Sequence, residues 1–213
     1  MAIFGSNSKE EVRQSTSNTN STTIITDCID INGNITGCGA IHIDGTVHGD
    51  INVEESIIIG TSGAVYGNIK SKSIIISGKL EGSISCASLE ITQFGTVSEK
   101  IDADEIILDG TVNATLIAKN TIKITEHGNL TTKHLECKHL IVNGHVDGDV
   151  TTSELLEINK HGEVKGTMVV KKIKVTEGGL MLGTMLSYEA PESRSPVLEH
   201  KVEAEVADTD ELL

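Results

Sequence analysis

The stretch IHIDGTVHGD at residues 41–50 decides the fold, because close variants of it return along the chain. Each variant has two apolar residues separated by one other residue, then a glycine, and then another apolar residue. No local turn preference acts over the 15 to 18 residues that separate the variants. The recurrence therefore belongs to the architecture and predicts a repeat protein. The next three copies are IIIGTSGAVYG (57–67), IIISGKLEG (74–82) and LEITQFGTV (89–97).

The glycine of this motif is present in all ten copies. From Val47 onward, the apolar residues that follow the motif glycines are separated by alternately longer and shorter intervals. Two successive copies together take 32 to 34 residues. A fixed period of this kind is typical of solenoids. We expect the glycines to lie at corners, where the backbone needs positive φ or approaches the next coil closely. They are Gly33, Gly45, Gly63, Gly78, Gly95, Gly110, Gly128, Gly144, Gly162 and Gly178.

Within each copy apolar and polar residues alternate, as in Ile41-His42-Ile43 and Ile122-Lys123-Ile124, which is the period of a β-strand. Helical spacing is absent from residues 24–185. The chain is therefore predicted to be all-β, a parallel β-helix of about ten coils and about 45 Å in length. Parallel crossovers are right-handed in roughly 98% of cases, so we expect a right-handed helix.

Stacked coils place equivalent residues above one another, about 4.8 Å apart, and these residues form ladders inside the helix. Cys86 and Cys137 fall at inward positions, so both are interpreted as core residues and not as metal ligands. One predicted ladder consists of Ile43, Ile59, Ile76, Ile91, Leu108, Ile124, Val142, Ile158 and Val175.

Composition argues against several classes of function. The formal net charge is −14 and no cluster of Lys and Arg is present, so nucleic acid is not a predicted partner. No apolar run approaches the ~20 residues of a membrane helix, and no signal-peptide pattern is present. The four cysteines lie far apart without C-x-x-C spacing, which indicates reduced thiols. We expect a cytoplasmic protein, with membrane association left open.

No residue pattern indicates catalytic chemistry. No stretch matches G-x-x-x-x-G-K-[ST], and no nucleotide or other cofactor is predicted. Arginine occurs only at Arg13 and Arg194, outside the repeats, which argues against a lyase with an Arg base. In HLECKH, strand alternation turns His134 and Glu136 outward and Cys137 inward, so no shared metal ion is predicted.

The phrases IDGTVHGDI (43–51), SGKLEGSI (77–84) and VNGHVDGDV (142–150), after the lead-in TTIIT (22–26), resemble the bactofilins. These are bacterial polymer-forming cytoskeletal proteins, and the resemblance extends over residues 23–188. It implies a right-handed β-helix that polymerises end to end, without nucleotide, into filaments that lack polarity. It also implies a structural protein, not an enzyme. Such a protein would act in cell shape or in the placement of envelope-associated partners such as cell-wall or morphogenesis proteins.

Two features depart from the family pattern. The rod is longer than the usual family core, and the second glycine of the motif is replaced in the middle coils by Glu99, Ala114 and Thr132. Two other functions stay open. One is a β-helical scaffold or binding module that does not polymerise. The other is a β-helix enzyme of the acyltransferase or carbonic anhydrase type, which the lack of a strict six-residue period disfavours.

The end coils of a solenoid expose unpaired backbone groups and apolar side chains unless a cap covers them. No charged capping helix flanks the repeats, so we predict homopolymerisation by strand addition between copies. The alternative is that the tails fold back as caps and leave a discrete monomer or dimer. The predicted end contacts are Ile25, Ile29 and Ile31 at one end, and Leu180, Leu182, Leu186 and Tyr188 at the other.

The central residue of each first strand is predicted to point outward. It is charged at Lys123, Glu157 and Lys174, but several other copies carry isoleucine there. Stacked outward isoleucines suggest a stripe for lateral contact between filaments. Scattered surface isoleucine without a function is the alternative interpretation. The stripe residues are Ile58, Ile75, Ile107 and Ile141.

Residues 1–22 and 189–213 are predicted to be disordered tails flanking the β-helix of residues 23–188, because few of their residues can form a core. The first tail opens with an apolar tip, Ile3 and Phe4, a candidate contact for the inner membrane surface that repetition along a filament would strengthen. No basic cluster accompanies the tip, so a solvated tail is the alternative. The acidic second tail is interpreted as solvated.

Overall fold

The structure is a computed structural model that describes residues 22–188. In this range the chain forms strands and turns and no helix, and all strand pairs are parallel. The strands are β1 (Thr22–Ile25), β2 (Asp30–Asn32), β3 (Ile35–Gly37), β4 (Ala40–Ile43), β5 (Thr46–His48), β6 (Ile51–Val53), β7 (Ser56–Ile59), β8 (Ala64–Tyr66), β9 (Ile69–Lys70), β10 (Ser73–Ile76), β11 (Lys79–Glu81), β12 (Ile84–Ile91), β13 (Thr96–Leu108), β14 (Thr111–Ile124), β15 (Asn129–Val142), β16 (His145–Ile158), β17 (Glu163–Val170), β18 (Ile173–Val175) and β19 (Leu180–Ser187).

The strands wind into about ten coils with three strand segments each. Equivalent segments of successive coils pair with each other, so three parallel faces run along the rod, which we call the first, second and third face. The first, second and third corners follow the faces in the same order. From β12 onward single strands continue round corners. Coils 1 to 10 comprise residues 22–37, 40–53, 56–70, 73–86, 88–103, 105–118, 121–137, 139–152, 155–170 and 173–187.

The predicted all-β parallel solenoid of about ten turns is confirmed. In the first face Ile25 pairs with Ile43 and Ile43 with Ile59, and the series continues without a break to Ile158 and Val175. The ladder predicted from sequence is therefore confirmed and begins one coil earlier, at Ile25. Alternation along each strand turns these side chains inward, where all from Ile25 to Ile158 are buried.

Four more inward ladders complete the core, which contains no aromatic side chain among the described residues. Three of them consist almost wholly of Ile, Val and Leu, and the fifth ladder, next to the third corner, has small side chains such as Ala103 and Ala118. A core of stacked aliphatic ladders explains how the rod dispenses with aromatics. The four ladders start at Thr23, Ile31, Ile35 and Gly37 and end at Ile173, Met181, Met185 and Ser187.

The first corner requires glycine because the preceding coil lies against it. A Cβ on Gly78 would lie within 3 Å of the carbonyl oxygens of Gly60 and Gly63 in coil 3. The Gly63 carbonyl also accepts the Lys79 N–H at 2.9 Å, so moving it away would lose an inter-coil hydrogen bond. The same close approach to a preceding carbonyl occurs at Gly45, Gly63, Gly95, Gly110, Gly128, Gly144 and Gly162.

Two predicted corner glycines lie elsewhere. Gly33 lies at the second corner, because Ile29 occupies the first corner of coil 1 and its carbonyl makes the usual inter-coil bond. Gly178 lies one residue before the corner of coil 10, which is Gly179, whose N–H donates to the Thr176 carbonyl at 2.9 Å. In coil 1 no earlier coil of the described chain restricts the corner, so the glycine signal is absent there.

The second corner uses glycine for a different reason, a positive φ, which is +151° at Gly49. The next residue carries a side-chain oxygen for the following coil. For example, Asp50 Oδ1 accepts the Asn68 N–H at 2.9 Å. In coils 5 to 7 another residue replaces this glycine, although Glu99 in coil 5 keeps a positive φ of +96°. The strand register shifts at several points in coils 5 to 8. The residues that replace the second glycine in coils 5 to 7 are Glu99, Ala114 and Thr132.

The four cysteines have two different environments. Cys137 is buried and Cys86 is half-buried, both in the fifth ladder, as predicted from their inward positions. Burial raises the pKa of each thiol to about 12, and for Cys86 the neighbouring Asp104 and Asp102 add to the shift. Cys28 and Cys38, in the first coil and just after it, are exposed.

At pH 8 a thiol reagent should modify Cys28 and Cys38 quickly and leave Cys86 and Cys137 until the chain unfolds, because the thiolate is the reactive form. The folded-state pKa of the buried thiols exceeds the ordinary value of 9.0. From about pH 9 towards 12 the unfolded state therefore loses protons first, and the free energy of unfolding falls as pH rises. Cys137→Ala should lessen that fall. Prompt reaction of all four thiols in native protein would contradict this.

Gly78→Ala should lower the free energy of unfolding by about 2 to 3 kcal/mol, because the added methyl group overlaps two carbonyl oxygens of coil 3. Gly37→Ala is the matched control, since a Cβ there meets no atom within 4 Å. It should change stability by no more than about 0.5 kcal/mol. Equilibrium denaturation followed by circular dichroism measures the free energy of unfolding of both variants. Equal losses of stability would contradict the close-approach explanation.

Candidate polymerisation surfaces

The last coil leaves the inward ladders open at the C-terminal end of the described chain. Val175, Met181 and Met185 are 47%, 37% and 51% exposed, although their partners in coil 9 are fully buried. β18 and β19 pair only with β16 and β17, so their outer backbone groups have no strand partner within residues 22–188. Open apolar ladders above unpaired strand edges form a surface suited to another β-coil.

The predicted contacts Leu180, Leu182 and Leu186 belong to this coil but continue outward ladders, in register with Glu163, Lys165 and Val169. The alignment of coil 10 with the other coils that the sequence predicted is shifted by one residue, because the corner glycine is Gly179 and not Gly178. Sequence reasoning therefore missed the inward Met181 and Met185, and the Gly178-Gly179 pair was the signal for them. Tyr188 follows the coil, is half-buried, and donates its N–H to the Val170 carbonyl at 3.0 Å.

At the N-terminal end Ile25 and Ile31 continue inward ladders, in register with Ile43 and Val47. Ile29 occupies the first corner and is 42% exposed. At later first corners a Cβ would face the preceding coil, so the side chain of Ile29 faces out of this end. That Ile25, Ile29 and Ile31 form end contacts stays a prediction.

The predicted lateral stripe lies on the outside of the first face. Ile58 and Ile75 are direct neighbours and half-buried, whereas Ile107 is 44% exposed. Charged residues interrupt the stripe on both sides of Ile107, because Glu90 precedes it by one coil and Lys123 follows it by one coil. Ile141 comes after Lys123. From Ile75 to Ile141 the column therefore alternates between isoleucine and a charged residue. The role of the four isoleucines in lateral contact stays a prediction.

Six of the seven histidines among residues 22–188 lie beside a carboxylate, and the seventh, His48, stacks on Tyr66. His139 Nε2 is 2.9 Å from Glu154 Oε2, and His134 Nε2 is 3.8 Å from Glu136 Oε2. Cys137 turns into the core, away from both, as strand alternation predicted. Among residues 22–188 no group of three or more His, Cys, Asp or Glu side chains gathers as a metal site would require.

Open grooves on the third face carry polar side chains, including Asn52, Lys70 and Ser85. Cys86 lines one of them, but a pKa raised to about 12 makes it a poor nucleophile at neutral pH. Lys119 at the same groove is paired with Asp104 at 2.8 Å. The described grooves therefore offer polar binding groups without an activated nucleophile.

No helix in the described part of the chain is long and apolar enough to cross a membrane. The predicted membrane tip, Ile3 and Phe4, lies outside the described residues. The same holds for the C-terminal segment 189–213.

Comparison with known proteins accounts for this architecture. The family model described as "Bactofilin: Polymer-forming cytoskeletal" matches the chain twice, over residues 23–108 and 103–185. The chain belongs to the bactofilin family. Two curated relatives come from Myxococcus xanthus. Bactofilin BacP is 31% identical over 87 residues, which is 40% of this chain and 36% of BacP. Bactofilin BacO is 37% identical over 62 residues, which is 29% of this chain and 49% of BacO.

The alignments therefore span less than half the length of either relative, and no solved structure matches the chain. The family model describes polymer-forming cytoskeletal proteins. The two family matches overlap at residues 103–108, where β13 continues from coil 5 into coil 6 and pairs with β14 on both sides of a register shift between Ala103 and Glu105. This bactofilin thus holds two family repeats in one continuous solenoid, which explains the length of its rod.

Proposed function

We propose that this bactofilin is the subunit of a filament that assembles end to end, without nucleotide, and serves as a cellular scaffold. The open coil 10 carries the proposal, because its exposed Val175, Met181 and Met185 continue ladders that are buried in every inner coil. A second copy that covers this end removes apolar surface from water and supplies partners for β18 and β19. Both terms are of the same kind as those that join one coil to the next, namely apolar burial and backbone hydrogen bonds.

The proposed filament has no polarity, because Ile29 disfavours head-to-tail stacking. In that arrangement coil 1 of one copy would follow coil 10 of another. Ile29 would then take a corner at which a Cβ lies within 3 Å of the preceding coil's backbone oxygens. Contacts between like ends, N-terminal to N-terminal and C-terminal to C-terminal, avoid this overlap.

The proposed cellular role is a scaffold that supports cell shape or places envelope-associated proteins, with cell-wall or morphogenesis proteins as partners. A long, uniform rod suits this role because a filament repeats each weak binding site many times. By the same reasoning the apolar tip of Ile3 and Phe4 would hold the inner membrane surface through many copies, although one tip binds weakly.

Negative-stain electron microscopy of the purified protein, without nucleotide or metal, tests the function. We expect filaments many rods long. Met181→Lys with Met185→Lys should abolish them, because two charges then stand in the open ladders. Leu182→Lys is the matched control, since it adds a charge to the same coil at an outward position. Discrete wild-type rods of about 45 Å would overturn the proposed filament and favour a scaffold that does not polymerise.

The same double variant tests polarity when its mass is measured by light scattering. If like ends join, a blocked C-terminal end still leaves the N-terminal contact, and we expect dimers about 90 Å long. A head-to-tail polymer uses the C-terminal end in every junction, so the variant would be monomeric. Monomers would therefore reject the non-polar arrangement and leave end-to-end assembly standing.

A further inference from the structure

The outward column of the first face has a self-complementary centre. From coil 4 to coil 8 it consists of Ile75, Glu90, Ile107, Lys123 and Ile141, each in register with the next. Ile107, the most exposed of the four stripe isoleucines, lies in the middle. An acidic residue lies one coil before it and a basic residue one coil after it, each about 4.8 Å away.

Glu90 and Lys123 differ from the other charged residues of the column. Lys174 Nζ lies 2.6 Å from Glu157 Oε1, and His42 Nε2 lies 3.3 Å from Asp44 Oδ2, so the polar side chains towards both ends of the column already have a partner within the chain. Glu90 and Lys123 are exposed, and neither has an ion-pair partner among residues 22–188. The charges that flank Ile107 are therefore available to another molecule.

We propose that two copies pair side by side, first face against first face, in antiparallel orientation about a two-fold axis through Ile107. The pairing rests on the proposed filament function and adds its lateral contact. The axis lies in the interface, perpendicular to the rods, so coil 6 faces coil 6 and coil 5 faces coil 7. Ile107 then packs against its own copy, Glu90 faces Lys123 in both directions, and Ile75 faces Ile141. Isologous contacts of this kind are the usual basis of two-fold pairing.

Charge decides the direction of pairing. In parallel orientation each coil would face its own copy, and Glu90, Lys123 and Glu157 would each oppose an identical charge. Like charges at contact distance disfavour an interface, whereas the antiparallel orientation turns the two central charges into two attractive pairs. Rods in a non-polar filament alternate in direction, so a second filament offers an antiparallel neighbour along its whole length.

The proposed interface has an unfavourable position near its centre. Glu105 lies two residues before Ile107, on the neighbouring outward column of the same face, and in this orientation it faces its own copy. Glu105→Gln should therefore lower the protein concentration at which filaments associate laterally. Towards the ends of the overlap Ile58 faces Glu157, which already has its partner Lys174.

Charge reversal tests the central pairs. Glu90→Lys alone and Lys123→Glu alone each place like charges across the interface. Both should raise several-fold the protein concentration needed for bundles in low-speed sedimentation. The double variant restores opposite charges and should bundle like the wild type. Filament length in electron micrographs, which reports the end contacts, should stay unchanged in all three. Failure of the double variant to recover, with filaments intact, would overturn the proposed pairing alone.

Thiol cross-linking tests the register independently of filaments. In a background in which the exposed Cys28 and Cys38 are replaced by Ser, a bis-maleimide reagent with a span of about 8 Å should join Ile107→Cys to its own copy, since facing sheets lie about 10 Å apart. Ile58→Cys is the matched control on the same column. In antiparallel pairing the two copies of residue 58 lie six coils, or about 29 Å, apart and cannot join. Equal dimer yields from both variants would indicate parallel pairing, and no dimer from Ile107→Cys would reject the two-fold axis.

Discussion

Parallel backbone hydrogen bonding between neighbouring coils is the interaction on which the rest of this structure depends. No coil has an antiparallel partner within itself, so each strand segment obtains its bonds from the coil before and the coil after. The 19 strands of residues 22–188 therefore form one cooperative stack whose stability grows by the addition of similar interfaces. The last described coil leaves one edge of its strands without such partners, and an open strand edge is a surface on which another chain can pair.

The inter-coil spacing of about 4.8 Å also determines which residues the chain can use. Inside, equal positions meet directly, so aliphatic side chains of similar size form ladders and aromatics are not needed. At the first corner the backbone of the preceding coil leaves no room for a Cβ, and eight inner coils have glycine there. Ile29 is the exception, because its side chain faces the end of the rod and not another coil. A residue that breaks the rule thus identifies a terminus and restricts what can stack on it.

The sequence predicted the inner coils well because each inner residue is restricted from two sides. The ladder from Ile43 to Val175 follows directly from the apolar alternation and the glycine spacing. Prediction failed at the two ends, where one neighbouring coil is missing. Ile29 removed the glycine signal from coil 1, and two adjacent glycines displaced the register of coil 10 by one residue, from Met181 to Leu180. The sequence also could not predict the ion pairs of the outward column, because periodicity does not show which charged residues have partners within the chain.

The proposed end and side contacts of this bactofilin differ in chemistry, and the difference would separate two levels of assembly. The end contact rests on apolar burial and backbone hydrogen bonds, which salt affects little. Lateral approach brings together chains of net charge −14, so most faces of two rods repel each other. A face that carries Glu90 and Lys123 on either side of Ile107 counters that repulsion locally. Its attraction depends on exposed charges, which ions screen over about 8 Å at physiological ionic strength. In the proposed assembly, filament growth is thus insensitive to salt, and ionic conditions act on how the filaments associate.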